Sequence, residues 1–374
     1  GRSPCAGSGP FAGFDEPERQ DRRTMLVATQ LIVVDDGRRN VWKYLFWVGL
    51  LAALLAVFSL APFLIETTNV VKLRNALLLR DTDDVRFQWT PAEAPVDFKW
   101  EQGPADPYFV AIAERLRLAE MPDDWSRAVA ISSHLLTSSG KKLRGGAIKS
   151  DLRRTYERIT RDGDGYCGDF VRVFMAIAIA GGMQVRPWAF SFDGFGGHGH
   201  IWPEIWNRQT KDWQLVGVFN NYYFFEDPGV PLSALEFRQA LMEGADSLKL
   251  APLDPAARVG WKYEEKAWAY YRRGLPQWYL WWGNDVFTYD RAGLVRLFAG
   301  VSRPLEQFAG LIQDVSPRLQ VLLTPENRPQ VEAMMSLKHR IWSTISVLMV
   351  ALTTIVVSLL CWRPWSRRAP RGTA

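Results

Sequence analysis

Residues 44–65, YLFWVGLLAALLAVFSLAPFLI, and residues 341–362, IWSTISVLMVALTTIVVSLLCW, are each 22 residues long and carry no charged side chain. A helix needs ~20 such residues to cross the hydrocarbon of a bilayer. Lys43, Arg340 and Arg363 bracket the two runs, and Trp47, Trp342 and Trp362 stand near their ends, where interfacial anchors belong. Both are therefore expected to be transmembrane helices. Two spans put both tails on one side of the bilayer and residues 66–340 on the other.

Basic residues near the spans are almost balanced. Arg38, Arg39, Lys43, Arg363, Arg367, Arg368 and Arg371 lie on the tail side, against Lys72, Arg74, Arg80, Arg328, Lys338 and Arg340 on the domain side. The dense arginine cluster after residue 362 favours cytoplasmic tails. The expectation is thus a protein of the inner (cytoplasmic) membrane with its main domain extracytoplasmic. The first run begins too far into the chain, and is too long, for a cleavable signal sequence. Residues 1–24 have the composition of a disordered tail, and Met25 is read as the natural start, which leaves Cys5 outside the working protein. The formal net charge of +5 comes from dispersed residues without a basic, aromatic-interleaved stripe, so no nucleic-acid partner is expected.

Along the chain, 1–43 reads as a partly disordered tail and 66–108 as an extended, proline-rich linker. The folded domain is expected at 109–250, an aromatic-rich helical extension at 251–340, and a basic tail at 363–374. Helical periodicity marks 109–121 and 123–140, and a shorter helix over 150–160 with Ser150 as its cap. After the RDGDG turn, YCGDFVRVFMAIAIAGG repeats its apolar residues at helical spacing and stops at Gly181–Gly182. Cys167 therefore falls in the first turn of a buried helix. Strands are expected at 183–192, 200–206 and 213–219, the last two joined as a hairpin through the polar NRQTKD loop. Helices followed by strands indicate an α+β domain.

The chain has three cysteines and four histidines. Cys5 and Cys361 lie in the tail and the second span, so Cys167 is the only thiol between the spans and has no disulfide partner there. A helix N-terminus and a neighbouring imidazole both favour the thiolate. Gly165 and Gly168 leave room for a substrate carbonyl, and the Cys167 N–H can help hold an oxyanion. His200, heading the strand HIWPEIW, is the candidate base. The competing reading is a buried free cysteine acting as a small hydrophobe.

This order of motifs resembles the transglutaminase-like superfamily, thiol enzymes with a papain-like fold, in a bacterial membrane-anchored form. GYCGDF, AGGMQVRPW and HIWPEIW match its Gly-x-Cys, helix–strand junction with Arg, and His-x-Trp-x-Glu in sequence, across residues 125–225. The resemblance implies a helix-borne Cys packed on antiparallel strands, with Cys167 as nucleophile, His200 as base, and Trp202 and Glu204 as motif residues. It also implies an Asp on the hairpin's partner strand, where WQLVG has Gly217. Strand alternation from 217 makes Asn221 the nearest same-face replacement, and Asn220 takes the role with a bulge or a one-residue slip.

His198, on the same expected strand face as His200, is the alternative base. His134 and His339 read as structural or surface residues. A metal held by His198, His200 and Asp193 lacks further ligands, and DGDG at 162–165 lacks the ligand spacing of a calcium loop. No metal or cofactor is therefore expected. The tryptophans of 261–288 suit either sugar stacking or packing against the domain and the bilayer surface. The expected function is hydrolysis or acyl transfer at an amide or ester of an envelope protein, peptide or surface polymer. The alternative is an inactive domain serving as a binding or assembly partner in envelope or exopolysaccharide biosynthesis.

Overall fold

The computed structural model describes residues 17–64, 67–81, 85–138 and 151–362. The chain divides into two compact units, one of residues 1–60 with 342–374 and one of residues 61–341. In chain order come α1 (Pro17–Leu64), α2 (Thr67–Leu78), α3 (Pro107–Arg115), α4 (Asp124–Ser138), α5 (Leu152–Asp162) and α6 (Cys167–Ala180). The strands β1 (Val185–Ser191), β2 (Gly199–Asn207), β3 (Asp212–Leu215) and β4 (Tyr223–Phe225) follow. Then come α7 (Ala234–Glu243), β5 (Lys249–Ala251), α8 (Glu264–Gly274), β6 (Trp278–Trp282) and α9 (Val286–Arg291). The chain continues through α10 (Gly293–Ala299), α11 (Arg303–Ile312), β7 (Arg318–Val321) and α12 (Arg328–Trp362).

In the first unit α1 and α12 lie side by side and antiparallel. Phe46 meets Trp362, and Ser59 shares a hydrogen bond with Thr344. Segments Asn40–Phe63 and Arg328–Trp362 are helices long and apolar enough to cross a membrane. Their apolar side chains stay bare: Trp47, Leu55, Phe58, Val350 and Leu360 are all exposed. A soluble core helix would bury those residues, so this surface calls for an apolar phase around it. Helix already begins at Pro17, inside the segment expected to be partly disordered; residues 1–16 and 363–374 lie outside the described residues.

The second unit is mixed α+β around a five-stranded antiparallel sheet in the order β3-β2-β1-β6-β7. All seven residues of β1 are buried, as a central strand covered on both faces must be. One face carries an aliphatic core, in which Val185 and Ile205 meet α3, α4, α5 and the apolar side of α6. The other carries an aromatic core of Trp188, Trp202, Trp213, Trp278 and Trp282 with α7 and α8.

Two expected boundaries give way. The segment 66–108 is not a linker: it forms α2, and Phe87, Trp89 and Phe98 are buried in the aromatic core. The region 251–340 is not an extension, because β6 and β7 are two strands of the central sheet. WYLWW is apolar on both faces, so it pairs inside a sheet rather than coating a helix. The tryptophan question is settled for this strand in favour of packing: Trp278 and Trp282 are buried. The α5 cap is Asp151, whose carboxylate accepts the Arg154 N–H at 2.9 Å; Ser150 lies outside the described residues.

One buried ion pair fixes the sheet register. Arg186 on β1 sits directly opposite Glu204 on β2. Its Nε donates to Glu204 Oε2 at 2.5 Å and its Nη1 to the Phe87 carbonyl at 2.9 Å. The guanidinium lies 4.5 Å from the Trp89 ring centroid and 4.0 Å from that of Trp213. Glu204 also accepts the Trp188 indole N–H and, at 2.6 Å, the N–H of Ala234 that opens α7. Removing one member of such a pair strands the other charge in a low dielectric. Glu204→Gln keeps the shape and removes the charge, and is expected to cost about 3–5 kcal/mol of stability. Denaturation of the full chain in detergent micelles, compared with wild type, checks this.

Candidate functional site

The helix carrying Cys167 starts where the chain leaves the Gly163 turn, with φ of 65°. The Asp169 carboxylate closes the first turn of α6 by accepting the Tyr166 N–H at 3.0 Å. Cys167 is the first residue of α6, half-buried and not in a disulfide. The backbone N–H groups of Ile201 and Gly168 lie near enough to its sulfur to favour the thiolate. Ile201 directly follows His200, so the thiol rests against the backbone of the histidine's strand. Cys167 and His200 both line a cavity of about 330 Å³. Among the described residues no hydrogen bond joins the sulfur to the imidazole.

The face of β2 explains this arrangement. His200, Trp202 and Glu204 alternate onto the aromatic side, while Ile201 and Ile205 face the α6 side. The His200 ring is boxed by Phe190, Trp202, Phe219, Tyr270 and Tyr271, with centroids between 4.9 and 6.4 Å away. Burial among these rings lowers the imidazole to about 3. Burial also pushes the Cys167 thiol up to about 11, and Asp169 adds to that rise. The N–H groups of Ile201 and Gly168 act the other way and are outweighed. The resting pair is therefore a neutral thiol and a neutral imidazole.

Of the two asparagines weighed for the missing Asp, the structure brings Asn220 to the histidine. Its amide nitrogen lies 3.4 Å from His200 Nε2 and 3.4 Å from the Tyr271 hydroxyl. A half-turn of the amide presents its oxygen instead, which accepts an Nε2–H and leaves Nδ1 free as a base. Asn221 is buried elsewhere: its amide donates to the Asp254 and Arg258 carbonyls and its oxygen accepts the Asp254 N–H. The alternation that pointed to Asn221 fails because β3 ends at Leu215. The chain then turns tightly, with Gly217 bridged to Tyr222 and Asn221 at φ of 59°.

That turn also accounts for the glycine in place of Asp. A Cβ at Gly217 would lie 2.4 Å from the Tyr222 carbonyl oxygen. Likewise Gly260 must lack a side chain, since its Cβ would meet Asn220 Oδ1 at 2.6 Å.

The other histidines stand apart from the thiol. His198 is exposed, and its ring pairs with Asp193 at 3.3 Å, a carboxylate that also accepts the Gly196 and His198 N–H groups. His134 bonds the Tyr156 hydroxyl at 2.8 Å, and His339 is exposed on α12. Glu204 and Trp202 belong to the packing that sets the register. Sequence reasoning missed Tyr270 and Tyr271, which wall the histidine, and Arg74, Arg172 and Arg303, which line the cavity. No motif spacing marks them, because they arrive from α2, α6, α8 and α11. No family model matches the chain, nor does any curated protein or solved structure.

Two outcomes follow from this geometry. Alkylation of Cys167 by iodoacetamide requires the thiolate, so its rate should rise about tenfold per pH unit from pH 7 to 9. A plateau already reached at pH 7 would mean a pre-formed ion pair. Asn220→Asp puts a carboxylate beside Nε2, which favours imidazolium and through it the thiolate. The midpoint should fall by about one pH unit or more, read from peptide masses across pH. Gly217→Asp should instead only destabilise, by about 1–3 kcal/mol.

Proposed function

We propose that this chain is a membrane-anchored thiol enzyme of transglutaminase-like type that cleaves or transfers acyl groups at amide or ester bonds. The observation that carries the reading is the Cys167 sulfur at the mouth of a buried helix, against the strand of His200 and in the same cavity. As the Sγ–C bond forms, His200 takes the thiol proton. The Cys167 N–H and the start of α6 stabilise the oxyanion of the tetrahedral intermediate. Collapse breaks the C–N or C–O bond, His200 returns the proton to the leaving group, and a thioester remains. Water then gives hydrolysis, and an amine gives an acyl transfer. Asn220 holds the ring through its amide. Because thiol and imidazole both start neutral, proton transfer accompanies attack rather than preceding it.

The spans and the basic cluster after residue 362 support cytoplasmic tails in the inner membrane and an extracytoplasmic domain. An amide- or ester-bearing envelope peptide, protein or surface polymer is then the substrate within reach. A small activated ester tests the chemistry on the full chain in detergent micelles. A thioester adduct should form at Cys167, disappear in Cys167→Ala, and form about 10²–10⁴ times more slowly in His200→Ala. No adduct on the folded wild type sinks the enzyme reading.

Two observations favour the rival reading, an inactive domain acting as a binding or assembly partner in envelope or exopolysaccharide biosynthesis. Among the described residues the thiol and imidazole share no hydrogen bond, and an amide stands where the resemblance asks for a carboxylate. A Cys167→Ala strain that matches a full deletion at normal protein level excludes that role as the sole one.

A further inference from the structure

The wall of the Cys167 cavity carries more positive charge than the proposed acyl chemistry uses. Arg74 comes from α2, Arg172 from α6 five residues beyond the thiol, and Arg303 from α11. Arg303 is committed: it pairs with Asp169 at 3.4 Å and Glu306 at 3.5 Å. Arg74 is not. Its Nε and Nη2 both reach one oxygen of Asn75, at 3.0 and 2.7 Å, and no carboxylate among the described residues lies within 4.0 Å. The Trp281 ring, 5.3 Å away, helps hold the guanidinium in place. Arg172 meets Asp290 only at 3.9 Å, and its Nη1 is buried without a hydrogen-bond partner.

The nearby carboxylates answer Arg172 electrostatically, since Glu306, Asp290 and Asp169 hold its guanidinium above its ordinary value despite burial, yet they leave its Nη1 without a hydrogen bond, and burial still lowers Arg74. Glu306 is shared between Arg303 and the Tyr289 hydroxyl. Asp285 is buried and pushed up to about 6 by desolvation. A buried guanidinium with unfilled donors is costly unless an anion completes it, and its planar fork matches an anionic oxygen group. A space of about 330 Å³ is at the small end for ligand sites, so the anion and the reacting carbonyl belong to one small fragment.

We infer that Arg74 and Arg172 form an anion subsite beside Cys167, and that the acyl substrate carries a carboxylate or phosphate close to its scissile carbonyl. This rests on the thiol-enzyme reading and narrows its substrate class. Iodoacetate and iodoacetamide make the test. Each forms a bond from Sγ to the reagent's methylene carbon, expels iodide and releases the thiol proton, and they differ in a carboxylate against a neutral amide. Rates at Cys167 are read by peptide mass in the full chain in detergent micelles at pH 8, with N-acetylcysteine as the reference thiol.

The iodoacetate-to-iodoacetamide ratio at Cys167 should exceed the reference ratio at least tenfold. Arg74→Met should return it towards the reference. At matched ionic strength, acetate or inorganic phosphate should slow iodoacetamide, and whichever does so identifies the group taken. A wild-type ratio equal to the reference, with neither anion protecting, overturns the subsite while leaving the nucleophile intact. Alkylation of Cys361 by both reagents with Cys167 untouched overturns the subsite and the enzyme reading together.

Discussion

The Arg186–Glu204 pair, clasped between Trp89 and Trp213, is the interaction on which the rest of the second unit depends. A single carboxylate joins the guanidinium of β1, an indole N–H of β1 and the first N–H of α7. The arginine in turn reaches the Phe87 carbonyl, and the Trp213 indole donates to the Trp89 carbonyl at 2.7 Å. Five segments far apart in the chain are therefore tied to one buried charge pair. Such a pair adds little net stability compared with apolar residues, yet leaves little tolerance for a shifted register, since any slip strands a charge. The site inherits this: with Arg186 opposite Glu204, Phe190 must face His200, and the Ile201 N–H lies near enough to the sulfur to favour its thiolate.

At the site itself two effects compete, and burial wins. A helix N-terminus and two backbone N–H groups favour a thiolate, but the surrounding apolar wall and Asp169 oppose it. The aromatic box around His200 suppresses imidazolium for the same reason. A neutral thiol is a weak nucleophile, so the resting pair is slow to alkylate or oxidise. Asn220 suits that regime, since an amide orients the ring without stabilising its charged form.

Much of this arrangement could be read along the chain. The helix that starts at Cys167 and the β2–β3 hairpin follow from local periodicity and turn chemistry, and both occur with small shifts in their ends. The two apolar helices are legible from length alone. The third member of the cluster was not. Alternation assumed that β3 continued through 219, and the Gly217–Tyr222 bridge breaks that assumption by a close backbone approach invisible in residue types. The boundary near 250 failed for a related reason. A tryptophan-rich run shows that a segment is buried, without showing which distant strand it will pair.

The sequence alone determined the elements whose stability is local: two bilayer-length apolar helices, the amphipathic helices of the domain, and a solitary thiol at a helix start. These rest on spacing, capping and hydration, each felt within a few residues. Only the tertiary structure decided that β6 and β7 complete the sheet, that Asn220 rather than Asn221 reaches His200, and that arginines from α2 and α6 share a wall with Cys167. Those facts depend on contacts between residues far apart in the chain. Packing and charge burial settle such contacts for the whole domain at once, and no local pattern encodes them.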